Sequence, residues 1–231
     1  MKHIAKYAMI ASLMVSSLAM AQSTTNSIYI DQVGDGGNIT VTQRGQANTI
    51  GSENQRFQIQ GNNQTLTVTQ AGSSNSIQGS IVDADNVNLD LSNVGDSNTV
   101  NFDLGAAGSV AGSSTTLAVT GSSNTVNLTQ GSLASSTGAL QNISISGDQN
   151  TYSSVVNTDD TVNTTVIEGS SNTVNVLQNG QPGKNINMTL TGNTNNFTIN
   201  QTSTLNVDAV SITSQSNGST VTINQCNAGA C

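Results

Sequence analysis

The sequence predicts an all-β fold: a β-solenoid of about eight stacked two-strand rungs with amyloid-like cross-β stacking. Three observations predict it. A pattern G-x-x-N-x-Φ-x-Φ-x-Q, with Φ apolar, recurs along the chain. Around each copy, apolar and polar residues alternate with period two, the mark of half-buried strands. The composition suits a regular stack better than a core packed from large side chains: charged residues are 8% and aromatics 3%, with one Pro, no Trp and 22 Gly among many Asn, Thr, Ser, Gln and Val. Composition alone also permits disorder; the ordering of the residues argues against it.

The pattern is complete at Gly121–Gln130, Gly169–Gln178 and Gly192–Gln201. Gly61–Gln70 carries Gln64 in the Asn place, and Gly34–Gln43 carries Gly37 there. Gly95–Leu104 lacks only the closing Gln, Gly147–Val156 is looser, and Ser216–Gln225 replaces Gly and Asn by Ser. A second alternating run precedes each turn, as in Ile28 to Gln32, Val87 to Asn93, Leu117 to Val119, Ile143 to Ile145 and Ile186 to Leu190. Each repeat therefore reads as strand, G-x-x-N turn, strand, and an arc to the next. Gly and Asn suit the turn because they tolerate positive φ.

Parity assigns the faces. Asn, both Φ residues and Gln share one side of the strand. One expected inward column is Ile39, Leu66, Val100, Val126, Tyr152, Val174, Phe197 and Val221; the next is Val41, Val68, Phe102, Leu128, Ser154, Val176, Ile199 and Ile223. The Gln column is Gln43, Gln70, Leu104, Gln130, Val156, Gln178, Gln201 and Gln225; the Asn column is Gly37, Gln64, Asn98, Asn124, Asn150, Asn172, Asn195 and Ser219. A buried amide is costly unless bonded. At a strand spacing of roughly 4.8 Å, equivalent amides of successive rungs are expected to bond in a ladder. Outward, Asn38, Thr65, Thr99, Thr125, Thr151, Thr173, Asn196 and Thr220 form a polar column beside Thr40, Thr67, Asn101, Asn127, Ser153, Asn175, Thr198 and Thr222.

The ends carry other signals. Residues 1–21 read as a signal peptide, with basic Lys2 and Lys6, an apolar stretch from Tyr7 to Met20, and small residues Ala19 and Ala21 at the cleavage point. The repeat array then spans 22–225, and 226–231 is a terminal loop. In an exported chain the pair Cys226 and Cys231 reads as a disulfide closing that loop. The expected localisation is secreted, extracellular or cell-surface, with no membrane span in the mature chain.

Without its signal the chain keeps three cations (Arg44, Arg56 and Lys184) against 13 acids, so its charge is 3 − 13 = −10. That disfavours nucleic acid. The only His is His3, inside the signal, so no His-based triad exists in the mature chain. The adjacent acids Asp159 and Asp160, and Asp83 with Asp85, fall in arcs and read as solvated. No enzyme, cofactor or metal is expected.

Gln43-Arg-Gly45-Gln-Ala-Asn48 and Gln70-Ala-Gly72-Ser-Ser-Asn75 are Q-x-G-x-x-N units. With the closing Gln of each repeat they resemble the curlin repeat of curli fibres, as a divergent member, from Asn26 to Gln225. The resemblance implies a secreted amyloid fibre subunit of biofilm matrix and cell adhesion, whose partners are copies of itself, a related nucleator subunit and an outer-membrane export pore. Its ladder residues would be Gln32, Gln43, Asn48, Gln70, Asn75, Asn98, Asn124, Gln130, Asn172, Gln178, Asn195, Gln201 and Gln225. Here the rungs vary in length, Val119, Ile145, Ile167 and Leu190 stand where the family has Gln, and the terminal Cys pair is foreign to it. The alternative function is a monomeric β-solenoid binding module, of adhesin or ice-binding type, presenting the Thr/Asn face.

Overall fold

The structure is a computed structural model and describes residues 25–34, 37–105, 108–204 and 208–226. The expected signal peptide, its cleavage point at Ala21, and Cys231 lie outside the described residues. The described chain is strands, turns and arcs, with no helix. In chain order the early strands are β1 (Ser27–Ile28), β2 (Ile30–Val33), β3 (Asn38–Gln46), β4 (Thr49–Ile50), β5 (Phe57–Asn62), β6 (Thr65–Ser73) and β7 (Ser76–Asp85). Then come β8 (Asn88–Val94), β9 (Thr99–Leu104), β10 (Ser114–Thr120), β11 (Thr125–Gln130), β12 (Leu140–Ser146) and β13 (Thr151–Asn157). The last are β14 (Val162–Glu168), β15 (Thr173–Asn179), β16 (Asn185–Thr191), β17 (Asn196–Gln201), β18 (Ala209–Gln215) and β19 (Thr220–Gln225).

These strands form two parallel sheets wound as a solenoid of about eight turns. The first sheet runs β1 and β2, β4 and β5, β7, β9, β11, β13, β15, β17, β19; the second runs β3, β6, β8, β10, β12, β14, β16, β18. Each rung adds to both sheets, with two short strands in the first sheet for the first two rungs and only β19 at the last level, and the next rung lies in register on it apart from a shift between Ile59 and Gly61. Thr49, Ser76, Thr99, Thr125, Thr151, Thr173, Asn196 and Thr220 stack in one column. Their spacing runs from 22 to 27 residues (173 − 151 and 76 − 49). The largest spacing has a local cause: β1 pairs with β4 and β2 with β5, so residues 51–56 loop out of the second rung.

The core is the narrow space between the sheets. Ile50, Ile77, Val100, Val126, Val174 and Phe197 line the first; Leu66, Leu89, Leu117, Ile143, Ile186 and Leu190 line the second, all almost fully buried. Each such side chain contributes about 1.5–3 kcal/mol on burial. Phe57 and Phe102 add an edge-to-face contact with ring centroids 4.8 Å apart.

From Val100 onward, the inward columns stack as expected. Val100, Val126, Tyr152, Val174, Phe197 and Val221 pair in sequence, and so do Phe102, Leu128, Ser154, Val176, Ile199 and Ile223. The first two copies of the pattern do not belong to those columns. Gly34–Gln43 and Gly61–Gln70 feed β3 and β6, which lie in the second sheet. Ile39 stacks on Leu66 and then Leu89; Val41 stacks on Val68 and then Leu91; Gln43 stacks on Gln70 and then Asn93. The outward residues Asn38, Thr65, Thr40 and Thr67 move with them. The cause is that the first rung turns at both corners with the same motif. Residues 27–37 and 38–48 are two eleven-residue units, each strand plus G-x-x-[G/N]. Motif matching alone does not tell one corner from the other.

Candidate functional site

The site has two parts: the ladder of buried amides along one corner, and the ends at which that stack stops. The corner follows each strand of the second sheet. There Gly takes positive φ (Gly95 114°, Gly121 115°, Gly147 122°) and so does the residue before Asn (Ser97 59°, Ser123 59°, Gln149 58°). Glycine is required sterically as well. A Cβ on Gly121 would run into the carbonyl oxygen of Gly147, and one on Gly147 into that of Gly169.

The turn aims Asn inward. Asn124 Nδ2 donates to Asn98 Oδ1 (3.0 Å) and to the Gly147 carbonyl (2.7 Å). Its own Oδ1 accepts from the backbone N–H (2.9 Å) and Nδ2 (3.1 Å) of Asn150. Each Asn thus donates twice and accepts twice, which satisfies a fully buried amide. The same bonds link Asn48, Asn75, Asn98, Asn124, Asn150, Asn172 and Asn195. Asn26 begins the column by accepting from Asn48 N, and Ser219 ends it by donating its N–H to Asn195 Oδ1. Asn48 and Asn75, rather than Gly37 and Gln64, are therefore the early members.

The Gln residues form shorter ladders. Gln43 Nε2 donates to Gln70 Oε1 (2.7 Å), Gln178 to Gln201 (3.0 Å) and Gln201 to Gln225 (2.8 Å). Gln130 is flanked by Leu104 and Val156, so its amide turns away, to Ser113 Oγ (2.6 Å) and the Ser136 carbonyl (3.1 Å). Gln32 pairs with Ile59 and joins no amide ladder; its Nε2 is buried without a hydrogen-bond partner.

A second, exposed ladder was hidden among scattered acids. Asp96 Oδ1 accepts from Ser73 N (2.6 Å), Asp148 from Ser122 N (2.7 Å) and Asn193 from Ser170 N (2.7 Å). The signal was an Asp or Asn directly after the turn Gly, one rung above a Ser. Asp159 acts likewise in an arc, accepting from Thr137 N (2.7 Å). These side-chain oxygens, three carboxylate and one amide, cap backbone N–H groups of the neighbouring rung.

The middle of the interior is polar. Gln141 donates to Gln130 Oε1, Ser154 to Gln141 Oε1, and Asn163 to Tyr152 Oη and Ser154 Oγ, while Thr165 donates to Asn163 Oδ1. Burial pushes the Tyr152 hydroxyl above its ordinary 10.0, against the lowering effect of contacts to Thr165, Asn163 and Ser154. Below that pH the group is protonated whether the chain is folded or not. Above it the unfolded chain ionises first, so stability falls as pH rises past about 10. Urea midpoints measured from pH 8 to 11 are expected to drop at the alkaline end, and Tyr152→Phe is expected to flatten the drop. An ion pair joins buried Lys184 to Asp208 at 2.9 Å across two rungs.

Among the described residues, the core side chains of the end strands are mostly less buried than those between them. Ile28 sits in register on Ile50, yet is 43% exposed where Ile50 is 0%. Ile30, Ile39 and Val41 at one end, and Ile212, Val221 and Ile223 at the other, are likewise only partly buried core residues. Cys226 is disulfide-bonded; Cys231 lies outside the described residues.

A shallow groove of about 370 Å³ separates the 51–56 loop from the outer face of the first sheet, with Gln55 and Arg56 on one side and Asn101, Asp103 and Asn127 on the other. Among the described residues no group of three His, Cys, Asp or Glu converges, and no helix is long and apolar enough to cross a membrane. No family model, no curated protein and no solved structure matches the chain.

Proposed function

We propose that the chain is a secreted, non-enzymatic structural subunit of a curli-like cross-β fibre, serving cell adhesion and biofilm matrix. The observation that carries the proposal is the state of the two ends. Among the described residues, each stops on strands with no further strand paired beyond them and with partly buried aliphatic side chains. Such edges template further strands. The stack between them is held by amides that repeat at the strand spacing, so another copy extends the same bonding. The asparagines of the corner and the Gln130, Gln141, Ser154 and Asn163 side chains are engaged with one another, and the acids at the turns cap backbone N–H groups. The fibre's partner is thus first of all a second copy of the chain. The curlin resemblance adds a nucleator subunit and an export pore as expected partners, and residues 1–21 add export through a cleaved signal peptide.

The purified chain, freed of residues 1–21, is expected to form unbranched fibres on incubation. They should give a cross-β reflection near 4.8 Å and bind amyloid dyes. A chain that stays monomeric by light scattering and dark with such dyes would sink the proposal. It would favour the alternative of a monomeric binding module, for which the groove beside Arg56 and the Thr/Asn face of the first sheet are the available surfaces.

A further inference from the structure

The two sheets end unevenly. Among the described residues, the solenoid starts on the first sheet with β1 and β2, and its last strand, β19, is also in the first sheet. The first sheet therefore has strands from nine levels, and the second from eight. If a following copy is laid on with its first sheet over the first sheet, β1 and β2 cover β19. The next strand of the second sheet is then β3, one full level too high above β18. The second sheet would lack a strand there, leaving about twice the ~4.8 Å spacing and two open edges inside the fibre.

We infer that successive copies join head to tail with a half-turn about the long axis, so that each sheet of one copy continues as the other sheet of the next. The inference rests on the fibre proposal and specifies its joint. After the half-turn, β1 and β2 lie on β18, and β3 lies on β19, with no level missing in either sheet.

Four features support that joint. The first rung has near twofold internal symmetry: residues 27–37 and 38–48 are both x-Φ-x-Φ-x-Q-x-G-x-x-[G/N], so each unit suits either position. The half-turn brings Asn38-Ile-Thr-Val-Thr-Gln43 over Thr220-Val-Thr-Ile-Asn-Gln225, placing Ile39 on Val221, Val41 on Ile223 and Gln43 on Gln225. The ladder Gln178, Gln201, Gln225 then continues into Gln43 and Gln70 of the next copy. Ile30 covers the partly buried Ile212, Ile28 comes over Val210, and the unpartnered Gln32 Nε2 comes to Ser214 Oγ. Finally, the glycine column of Gly169, Gly192 and Ser216 continues through Gly34 and Gly61, which stack on each other by the same Cβ-excluding approach. The β3 and β6 sequences match first-sheet strands because, across the joint, they extend the first sheet.

Disulfide trapping distinguishes the two joints. Thr40 and Thr222 are exposed, outward-facing, and at opposite ends of one molecule, so a bond between them links two copies. The half-turn brings Thr40 over Thr222, whereas the unrotated joint brings Tyr29 over Thr222. Fibres of the double variant Thr40→Cys/Thr222→Cys are expected to oxidise to a ladder of covalent oligomers on a non-reducing gel, with a 40–222 linked peptide by mass spectrometry. Fibres of Tyr29→Cys/Thr222→Cys are expected to remain monomers on the same gel. A ladder in the second variant, or fibres without a 40–222 link in the first, overturns the half-turn while leaving the fibre intact. A wild-type chain that never assembles overturns both.

Discussion

Asn124→Ala is expected to destabilise the solenoid by about 3–5 kcal/mol, read as a fall in the urea midpoint at unchanged slope. The substitution removes the acceptor for the backbone N–H and Nδ2 of Asn150. It also removes the donor to Asn98 Oδ1 and to the Gly147 carbonyl. The Asn150 N–H is the decisive loss, because it is buried and has no other partner in reach, and a buried orphan costs roughly 1–3 kcal/mol by itself. Asn127→Ala, one outward position along the same rung, is the comparison. Its Oδ1 accepts from Asn101 Nδ2 (3.0 Å) on the half-exposed face, where water replaces the bond. That change is expected to cost under about 1 kcal/mol. Equal effects would mean that the corner ladder is not what holds the rungs in register. Against a total stability of about 5–15 kcal/mol for an ordinary domain, the expected loss is large. In a stacked array it falls first on the rungs at either side of the break.

The contrast between those two asparagines shows what was legible in the sequence. Period-two alternation and recurrence were enough for the solenoid, the number of turns and the columns from Val100 onward. Position in the motif was enough to separate Asn124, inward, from Asn127, outward. Three things were not legible. The assignment of Gly34–Gln43 and Gly61–Gln70 to the second sheet depends on which corner each turn occupies, and both corners use the same local chemistry. The break in the Gln ladder at Gln130 depends on what stands in the neighbouring rungs, Leu104 and Val156, and on Ser113 and Ser136, which come from arcs without a repeating pattern. The capping roles of Asp96 and Asp148 depend on a residue one full rung earlier, so no local window contains both partners. In each case the missing information is register between rungs, which the sequence encodes only through the lengths of the arcs.

Gly147→Ala is expected to be at least as damaging as the loss of an amide, at more than about 3 kcal/mol, for a different reason. The residue takes φ of 122°, which L side chains rarely adopt, and its missing Cβ is where the Gly169 carbonyl oxygen lies. That carbonyl accepts from Asn150 Nδ2 at 2.7 Å, so moving it aside also opens the ladder. Backbone on both sides of the contact leaves no flexible side chain to yield. Gly218→Ala separates the two costs. Gly218 also has positive φ, 72°, but a Cβ there meets nothing within 4 Å. Only the backbone term remains, expected at about 1 kcal/mol. Hydrogen exchange gives the spatial readout: with Gly147→Ala, protection is expected to fall at the amides of Asn150, Asn172 and their turns, and to persist near Asn75. If both alanines cost the same, the close stacking of the glycine corners contributes nothing beyond local conformation. If Gly147→Ala alone collapses its neighbourhood, the spacing of rungs is set at that corner, by the absence of side chains at seven successive glycines from Gly45 to Gly192.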